Sequence, residues 1–131
     1  MGRGNPVAVP HWELDSWLPL LDWHFQSFCR DGAQDPDDLV QDVRNRDRQL
    51  WLVVEDEVKA AMLTSIAKDR TNTLRVTHCA GKGFRDWLHH FEAIKDWGRA
   101  MGCKRIEVTC RPGWEKFLGM KRTHVVLEGQ L

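Results

Sequence analysis

The stretch TLRVTHCAGKGF, residues 73–84, passes from a strand pattern through two glycines into a helix pattern. Its first part, from Thr73 to Cys79, alternates enough to predict a strand. From Phe84 to Met101 apolar side chains recur at helical spacing, and Gly102 is placed to end that helix. The segment from Lys104 to Cys110 then alternates again. A strand, a long helix and a second strand predict a right-handed βαβ unit whose two strands are parallel.

Ahead of this unit the sequence predicts an antiparallel meander. The apolar run from Leu50 to Val54, the polar turn at 55–57 and the run from Val58 to Ile66 predict a hairpin, which the strand from Thr73 continues. The expected fold class is therefore mixed α/β (α+β). Its central sheet joins an antiparallel meander to the βαβ unit, and helices cover both faces.

Two helices are predicted on the N-terminal side of the meander. Segment 16–29 carries apolar residues at helical spacing, with Ser16 as its N-cap and Pro19 in its first turn. A second helix is predicted from Asp35-Pro36, a capping carboxylate followed by a first-turn proline, to a position near Arg48. The remaining predicted elements are a short helix from Trp114 to Leu118 and a last strand from Thr123 to Leu127.

Length and composition predict one domain spanning residues 1–131. A chain of 131 residues with 42% hydrophobic content is typical of a single domain. No apolar run reaches the roughly 20 residues that a membrane-spanning helix needs, so no membrane association is expected. The cysteines lack CxxC spacing and follow no secretory leader, so we expect reduced thiols and a cytoplasmic location. They are Cys29, Cys79, Cys103 and Cys110.

The formal net charge is zero, but the two halves of the chain differ. Residues 1–67 carry 12 acidic and 6 basic side chains, net −6, whereas residues 68–131 carry 7 and 13, net +6. An anionic ligand would therefore prefer the second half. Lys104-Arg105 and Lys121-Arg122 are short basic pairs without interleaved aromatics, so nucleic acid is not the expected partner. His89-His90 lacks the i, i+4 spacing of a helical metal site, and no metal is expected.

The order of elements over nearly the whole chain resembles the GNAT superfamily of acetyl-CoA-dependent N-acetyltransferases. The hairpin from Trp51 to Ala61 looks like the second and third strands of that family, and the segment from Trp114 to Lys121 looks like its closing helix and turn. The run His78-Cys79-Ala80-Gly81-Lys82-Gly83 is similar to its acetyl-CoA loop. The resemblance implies the GNAT fold, acetyl-CoA as cofactor and transfer of an acyl group to an amine.

The cofactor contacts that this resemblance implies lie at the end of a strand and the start of the next helix. Glycines let the backbone approach a pyrophosphate, and amides at a helix N-terminus offer donors with a favourable dipole. The flanking strands would splay near Thr77-His78-Cys79 and Thr109-Cys110 to admit the pantetheine arm. The predicted cofactor-binding residues are His78, Cys79, Ala80, Gly81, Lys82, Gly83, Phe84 and Arg85.

The chain departs from the family at the group that protonates the leaving thiolate. The family commonly uses a tyrosine near its closing helix, whereas this chain has no tyrosine and Phe117 stands near that place. The candidates for catalysis are side chains with acid-base chemistry that lie close to the expected splay. They are Cys110, His78, His124 and Glu107. The cysteines near the splay are also compatible with a packing role, because buried cysteine commonly behaves as a small hydrophobe.

A second resemblance indicates a different function. The size of the chain, the GKGFRDW run at 81–87 and the RPGW run at 111–114 resemble small GNAT-like proteins of tailed bacteriophages, some of which are virion components. The alternative is thus a non-catalytic structural or interaction protein, located in the virion or the host cytoplasm. Tryptophan is favoured at interfaces. Trp12 and Trp114 are the candidates for contacting a protein partner, and Trp23 is assigned neither to an interface nor to the core. Trp87 and Trp97 follow the helical stripe and are predicted to be core.

Overall fold

The computed structural model describes residues 6–30, 32, 34–68, 71–81, 87–109, 119–121 and 129–130. These residues form one five-stranded mixed sheet, and its order follows the sequence. The strands are Val7–Ala8 (β1), Gln49–Val54 (β2), Val58–Ala67 (β3), Thr73–Gly81 (β4) and Arg105–Val108 (β5). Neighbouring strands from β1 to β4 are antiparallel, and β5 is parallel to β4. The predicted meander and the parallel pair are both confirmed.

Helices cover both faces of this sheet, as predicted. They are Leu14–Trp17 (α1), Asp22–Phe28 (α2), Pro36–Arg44 (α3) and Trp87–Ala100 (α4). One core lies between the sheet and α1 to α3, and it includes Phe25, Leu39 and Leu63. The other core lies between the sheet and α4, where Met62 packs with Phe91 and other apolar residues. The sheet is therefore the middle layer of a three-layer domain.

Strand β2 is apolar from Leu50 to Val54 because its side chains enter both cores. Leu50 and Leu52 enter the core below α1 to α3, whereas Trp51 and Val53 enter the core below α4. Successive side chains of a strand point to opposite faces, so a strand covered on both sides is apolar throughout. The Trp51 indole N–H donates to the Thr64 hydroxyl at 3.0 Å, which satisfies its buried donor. Its ring also contacts half-buried Trp97, which confirms the core prediction for Trp97.

A β-bulge interrupts β4 at Thr77. Leu63 of β3 is opposite His78 and the next β3 residue, Thr64, is opposite Val76, so Thr77 is an extra residue in the ladder. A bulge of this kind shifts the alternation of side chains by one position. Val76 therefore packs below α4, whereas His78 contacts Phe28 on the opposite face.

Strand β4 extends past its pairing with β5. The parallel register runs from Thr73 opposite Arg105 to Val76 opposite Val108, and the Thr109 N–H donates to the Val76 carbonyl at 3.0 Å. β4 continues to Gly81 along β3, two residues beyond the predicted end of the strand. Gly102, which precedes β5, has φ +86°, the left-handed conformation expected at the end of the preceding helix.

The prediction of one continuous helix over residues 16–29 is wrong. Helix α1 ends at Trp17, a 3₁₀ turn follows at Leu18–Leu20, and α2 begins only at Asp22. Ser16 thus lies inside α1 instead of capping a helix. Pro19 has no N–H to donate to the preceding turn, and its ring disfavours a continuous α-helix through that point. Because the helix is broken here, Leu21, which immediately precedes α2, is completely buried.

The second helix has the predicted beginning but not the predicted end. Asp35 caps α3, because its carboxylate accepts a hydrogen bond from the Asp37 N–H at 2.9 Å. The helix ends at Arg44 and not near Arg48. Arg46 takes a left-handed conformation with φ 65°, and the N–H of Arg48 then donates back to the Asp42 carbonyl at 3.3 Å. The chain thereby leaves the helix and places Arg48 immediately before β2.

Several predictions concern residues outside the described part of the chain. The predicted helix from Trp114 to Leu118 and the predicted strand from Thr123 to Leu127 lie there, as does the predicted start of α4 at Phe84. The side chain of Trp87 is also outside it. Among the described residues, no helix is both long and apolar enough to cross a membrane.

The Gly81→Ala substitution should destabilise the protein by about 1–3 kcal/mol, because overpacking a close backbone contact forces the strands apart. A Cβ at Gly81 would lie 2.6 Å from the Lys59 carbonyl oxygen and 2.8 Å from the Ala60 Cα, both of them backbone atoms of β3. Gly129→Ala is the matched control, since no atom of the described residues lies within 4 Å of a Cβ there. Urea unfolding of both variants tests this, and equal stabilities would contradict it.

The buried side chain of His24 should make the fold sensitive to mild acid. His24 is 7% exposed, its Nδ1 has no hydrogen-bond partner among the described residues, and desolvation lowers its pKa. The unfolded chain takes up a proton as the pH falls through about 6.5, whereas the folded chain resists it, so stability falls on acidification. His24→Leu should therefore lose less free energy of unfolding than the wild type between about pH 7.5 and pH 5.5.

The control for this comparison is His89→Gln, because His89 is exposed on α4. Urea titrations of the three proteins at both pH values give the differences directly. The same acid-induced loss in His24→Leu and in the wild type would show that His24 does not cause it.

Candidate active site

His78 follows the bulge of β4, and both nitrogens of its ring have hydrogen-bond partners. Nε2 lies 2.6 Å from Oε1 of Gln34, and Nδ1 lies 2.8 Å from the hydroxyl of Thr77. The ring also makes an edge contact with Phe28, with centroids 5.5 Å apart. Two polar contacts and one aromatic contact therefore fix the position and the plane of the imidazole.

The Thr77 hydroxyl is held from its other side by Arg48. Arg48 Nη1 donates to Thr77 Oγ1 at 2.7 Å, and its Nε donates to the Asp42 carboxylate at 3.0 Å. The Arg48 side chain is 17% exposed, so its charge is largely withdrawn from water and is balanced by Asp42. Asp42, Arg48, Thr77, His78 and Gln34 thus form one connected chain of polar contacts, which we call the His78 network.

The donors and acceptors of the network indicate which tautomer of His78 is present. A guanidinium can only donate, so Arg48 occupies one lone pair of the Thr77 oxygen. The Thr77 proton has two acceptors in reach, His78 Nδ1 at 2.8 Å and the Leu63 carbonyl at 3.4 Å, and the shorter contact is the better one. Nδ1 then accepts, and the proton of the neutral ring resides on Nε2, which donates to Gln34 Oε1.

An open cleft of about 480 Å³ adjoins this network at Gln34 and Asp42. Its lining consists of Gly32, Gln34, Asp35, Pro36, Asp38, Leu39 and Asp42. Three of these residues are aspartates, and the negative charge favours a cationic ligand over an anionic one. The carboxylates at the start of α3 also stabilise the helix by interacting with its dipole, so their presence has a structural cause as well.

The predicted cofactor residues at the end of β4 divide between the two faces of the sheet. Ala80 belongs to the core below α1 to α3, and Cys79 packs against the core below α4. Gly81 faces the backbone of β3 so closely that a Cβ would collide with Lys59 and Ala60. The packing of β3 against β4 is therefore sufficient to require glycine at position 81, whatever ligand binds nearby.

Glu107, a predicted catalytic candidate, lies on β5 beside two arginines. Its carboxylate is 3.9 Å from Arg105 Nη2 and 4.0 Å from Arg75 Nε. Arg75 is its partner in the parallel register, two residues before the bulge. These contacts hold Glu107 in ion pairs, and none of its described partners belongs to the His78 network.

The other predicted site residues lie outside the described part of the chain. They are Lys82, Gly83, Phe84 and Arg85 of the loop, the catalytic candidates Cys110 and His124, and the interface candidate Trp114. Among the described residues, no group of three or more His, Cys, Asp or Glu side chains is placed to hold a metal ion.

Three residues of the network, Gln34, Asp42 and Arg48, were not predicted as site residues, and Thr77 was predicted only as part of the strand splay. A signal for Thr77 is present in the sequence. The residues that enter the core below α4 are Leu74, Val76 and then Cys79, so a spacing of three replaces a spacing of two, as a bulge requires. The contacts of Arg48 and Gln34 carry no such signal, because their partners are 29 and 44 residues away.

No protein-family model and no characterised sequence matches the chain. The structure is similar to glucosamine-6-phosphate N-acetyltransferase from Arabidopsis thaliana, with a TM-score of 0.68 and 13% identity over 96% of this chain and 97% of that one.

Two further structures show the same likeness. One is a predicted acetyltransferase with acetyl-CoA from Clostridium acetobutylicum, with a TM-score of 0.68 and 11% identity over 96% of this chain and 95% of that one. The other is an aminoglycoside acetyltransferase from an uncultured soil metagenomic sample in complex with sisomicin. Its TM-score is 0.69, with 9% identity over 97% of this chain and 95% of that one. At such low identity these matches establish the architecture, and the chain therefore has the GNAT fold of N-acetyltransferases.

Proposed function

We propose that this protein is an acetyl-CoA-dependent N-acetyltransferase whose reaction centre lies at the bulge of β4. The observation that carries the proposal is the His78 network, a fixed acid-base group at the point where the pairing of β4 with β5 ends. The GNAT fold supports the reaction class, and the network supplies this chain's own chemistry.

The end of β4 suits the donor substrate. Residues Thr77 to Gly81 continue along β3 after the described register with β5 has ended at Val76. The peptide groups on the edge toward β5 can pair with the amides of a pantetheine arm, as a further strand would. Acetyl-CoA, when bound, supplies an acetyl group activated as a thioester. Lys82, Gly83, Phe84 and Arg85 remain the proposed contacts for its phosphates, together with the end of β4.

His78 is proposed to accept the proton that the attacking amine loses. In the neutral ring, the Thr77 hydroxyl donates to Nδ1 and Nε2–H donates to Gln34. In the protonated ring, Nδ1–H donates to Thr77, whose own proton turns to the Leu63 carbonyl at 3.4 Å, and the Gln34 contact is unchanged. Both states have all their protons in hydrogen bonds, and only one hydroxyl rotates between them.

The overall transfer then balances. The amine nitrogen forms a bond to the acetyl carbon as the bond from that carbon to sulfur breaks. An amine that enters as a cation first loses one proton to water, because only the neutral nitrogen has a lone pair for the attack. The attacking nitrogen then gives up a further proton, which passes to His78 and from there to solvent, and the sulfur leaves as a thiolate that takes a proton from water. Solvent is the proposed source of the thiol proton because the chain has no tyrosine to supply it. The acidic cleft next to Gln34 is the proposed entrance for a cationic amine.

A second candidate function is that of a non-catalytic GNAT-fold component of an assembly, such as the bacteriophage virion or host-cytoplasm role implied by the resemblance. The specific observation in its favour is that Trp12 is 75% exposed and Trp23 is 50% exposed. Large aromatic side chains in water are typical anchors for a protein partner. On this proposal the scaffold persists and the tryptophans do the binding.

If the enzymatic proposal is right, saturating acetyl-CoA should raise the thermal midpoint by several degrees, because ligand at 100 times Kd adds about 2.7 kcal/mol. Release of the CoA thiol should follow on addition of an amine. Sisomicin and glucosamine 6-phosphate are suitable probes because related structures are named for them. His78→Gln should lower kcat by about 10²-fold or more and leave the thermal shift intact.

His89→Gln on exposed α4 is the matched histidine control, and its turnover should equal that of the wild type. An unchanged midpoint at millimolar acetyl-CoA would overturn the enzymatic proposal and leave the assembly component as the better candidate. If His78→Gln shows the wild-type increase in thermal midpoint with acetyl-CoA and also the wild-type turnover, His78 has no part in the mechanism.

A further inference from the structure

We propose that Arg48 is the positioning residue of this site. It donates a hydrogen bond to the Thr77 hydroxyl at the bulge and thereby fixes the tautomer and the orientation of the His78 ring. The role of Arg48 in catalysis rests on the proposed function. The control of the ring by Arg48 is a property of the fold and can be measured without turnover. None of the local segments that carry the resemblance to acetyltransferases contains Arg48, since the first of them is the hairpin from Trp51 to Ala61.

Arg48 is anchored before it reaches Thr77. Its own N–H donates to the Asp42 carbonyl at 3.3 Å, and its Nε donates to the Asp42 carboxylate at 3.0 Å. Backbone and side chain are therefore both tied to the last full turn of α3. Because α3 ends at Arg44 and the chain turns at Arg46, the guanidinium is carried to β4 instead of pointing along the helix.

The chemistry of this position calls for arginine. One side chain must donate to a carboxylate and to a hydroxyl at the same time, from a rigid plane and with little access to water. A guanidinium offers several donors in fixed directions and cannot accept a proton, whereas an ammonium on a flexible stem cannot hold both contacts in one geometry. The charge of Asp42 offsets the cost of withdrawing Arg48 from water.

The consequence for His78 follows from the count of lone pairs. With one lone pair of Thr77 Oγ1 occupied by Arg48, the hydroxyl has one proton to donate and one lone pair left to accept with. Of the two remaining contacts, the Leu63 carbonyl at 3.4 Å can only accept, so the Thr77 proton goes either to it or to Nδ1 at 2.8 Å, and the shorter contact to Nδ1 is favoured. Without Arg48 the Thr77 hydroxyl is free to rotate between these two acceptors, and of the two described hydrogen bonds of the ring only the one to Gln34 keeps its geometry.

The test compares Arg48→Gln with Arg44→Gln. Arg44 is the last residue of α3 and, like Arg48, pairs with an aspartate, here Asp15 at 2.6 Å, but this pair is exposed and has no described contact with β4. Long-range ¹H–¹⁵N NMR reads the tautomer of His78 directly, because protonated and unprotonated ring nitrogens resonate apart. The wild type and Arg44→Gln should show an Nε2-protonated ring. In Arg48→Gln the two nitrogen signals should move toward each other as the tautomers exchange.

Turnover gives a second readout. With acetyl-CoA and the amine that serves as substrate, Arg48→Gln should lower kcat by about 10- to 100-fold, the effect of a misplaced catalytic group, and leave the KM for acetyl-CoA unchanged. Arg48→Lys, which keeps the charge but not the two fixed donors, should restore less than half of the lost rate. Complete rescue by lysine would show that charge alone matters and would overturn the proposal.

Thr77→Val removes the other partner of the Arg48–Thr77 hydrogen bond, and it provides the test if Arg48→Gln does not fold. It removes the hydroxyl and keeps Arg48, so we expect the same averaging of the His78 signals. Averaging in Thr77→Val together with wild-type signals in a folded Arg48→Gln or Arg48→Lys would overturn the role of Arg48. If the wild type binds no acetyl-CoA, the proposed function fails, while the NMR comparison still decides whether Arg48 controls the ring.

Discussion

The extra residue in β4, Thr77, is the constraint on which the rest of this site depends. Before the bulge, even-numbered residues of β4 face α4, and after it the odd-numbered ones do. Without the bulge, His78 would enter an apolar core and Cys79 would take its place beside Phe28. A one-residue insertion therefore accounts for the packing of partly buried Cys79 under α4 and the placement of the His78 imidazole in a polar setting.

The His78 network fixes the position of the imidazole at the bulge. Three separate segments meet at the bulge: the approach to α3 brings Gln34, the turn after α3 brings Arg48, and β4 itself supplies Thr77 and His78. Each hydrogen bond replaces one to water and contributes modestly, but an unpaired partner in this partly buried setting would be costly. The network is thus expected to act as a unit and to hold the ring more firmly than any one contact would.

The architecture and the chemistry of this chain have separate causes. The sheet, its two cores and the close contact at Gly81 follow from packing. The fold is shared with acetyltransferase structures of about 10% identity. The chain has no tyrosine, and its Glu107 is held in ion pairs by Arg75 and Arg105. Trp12 and Trp23 are exposed and belong to neither core.

The sequence by itself determined the order of elements, the meander, the parallel pair and the division of helices between two faces, because each follows from local periodicity. It also placed Asp35 at a helix start and Gly102 at a helix end, since caps are decided by neighbouring residues. It did not reveal the split between α1 and α2, which depends on where Pro19 and Leu21 must pack. Only the tertiary structure decided the site, because Gln34, Arg48 and His78 are far apart in the chain and are brought together by the bulge and by the early end of α3.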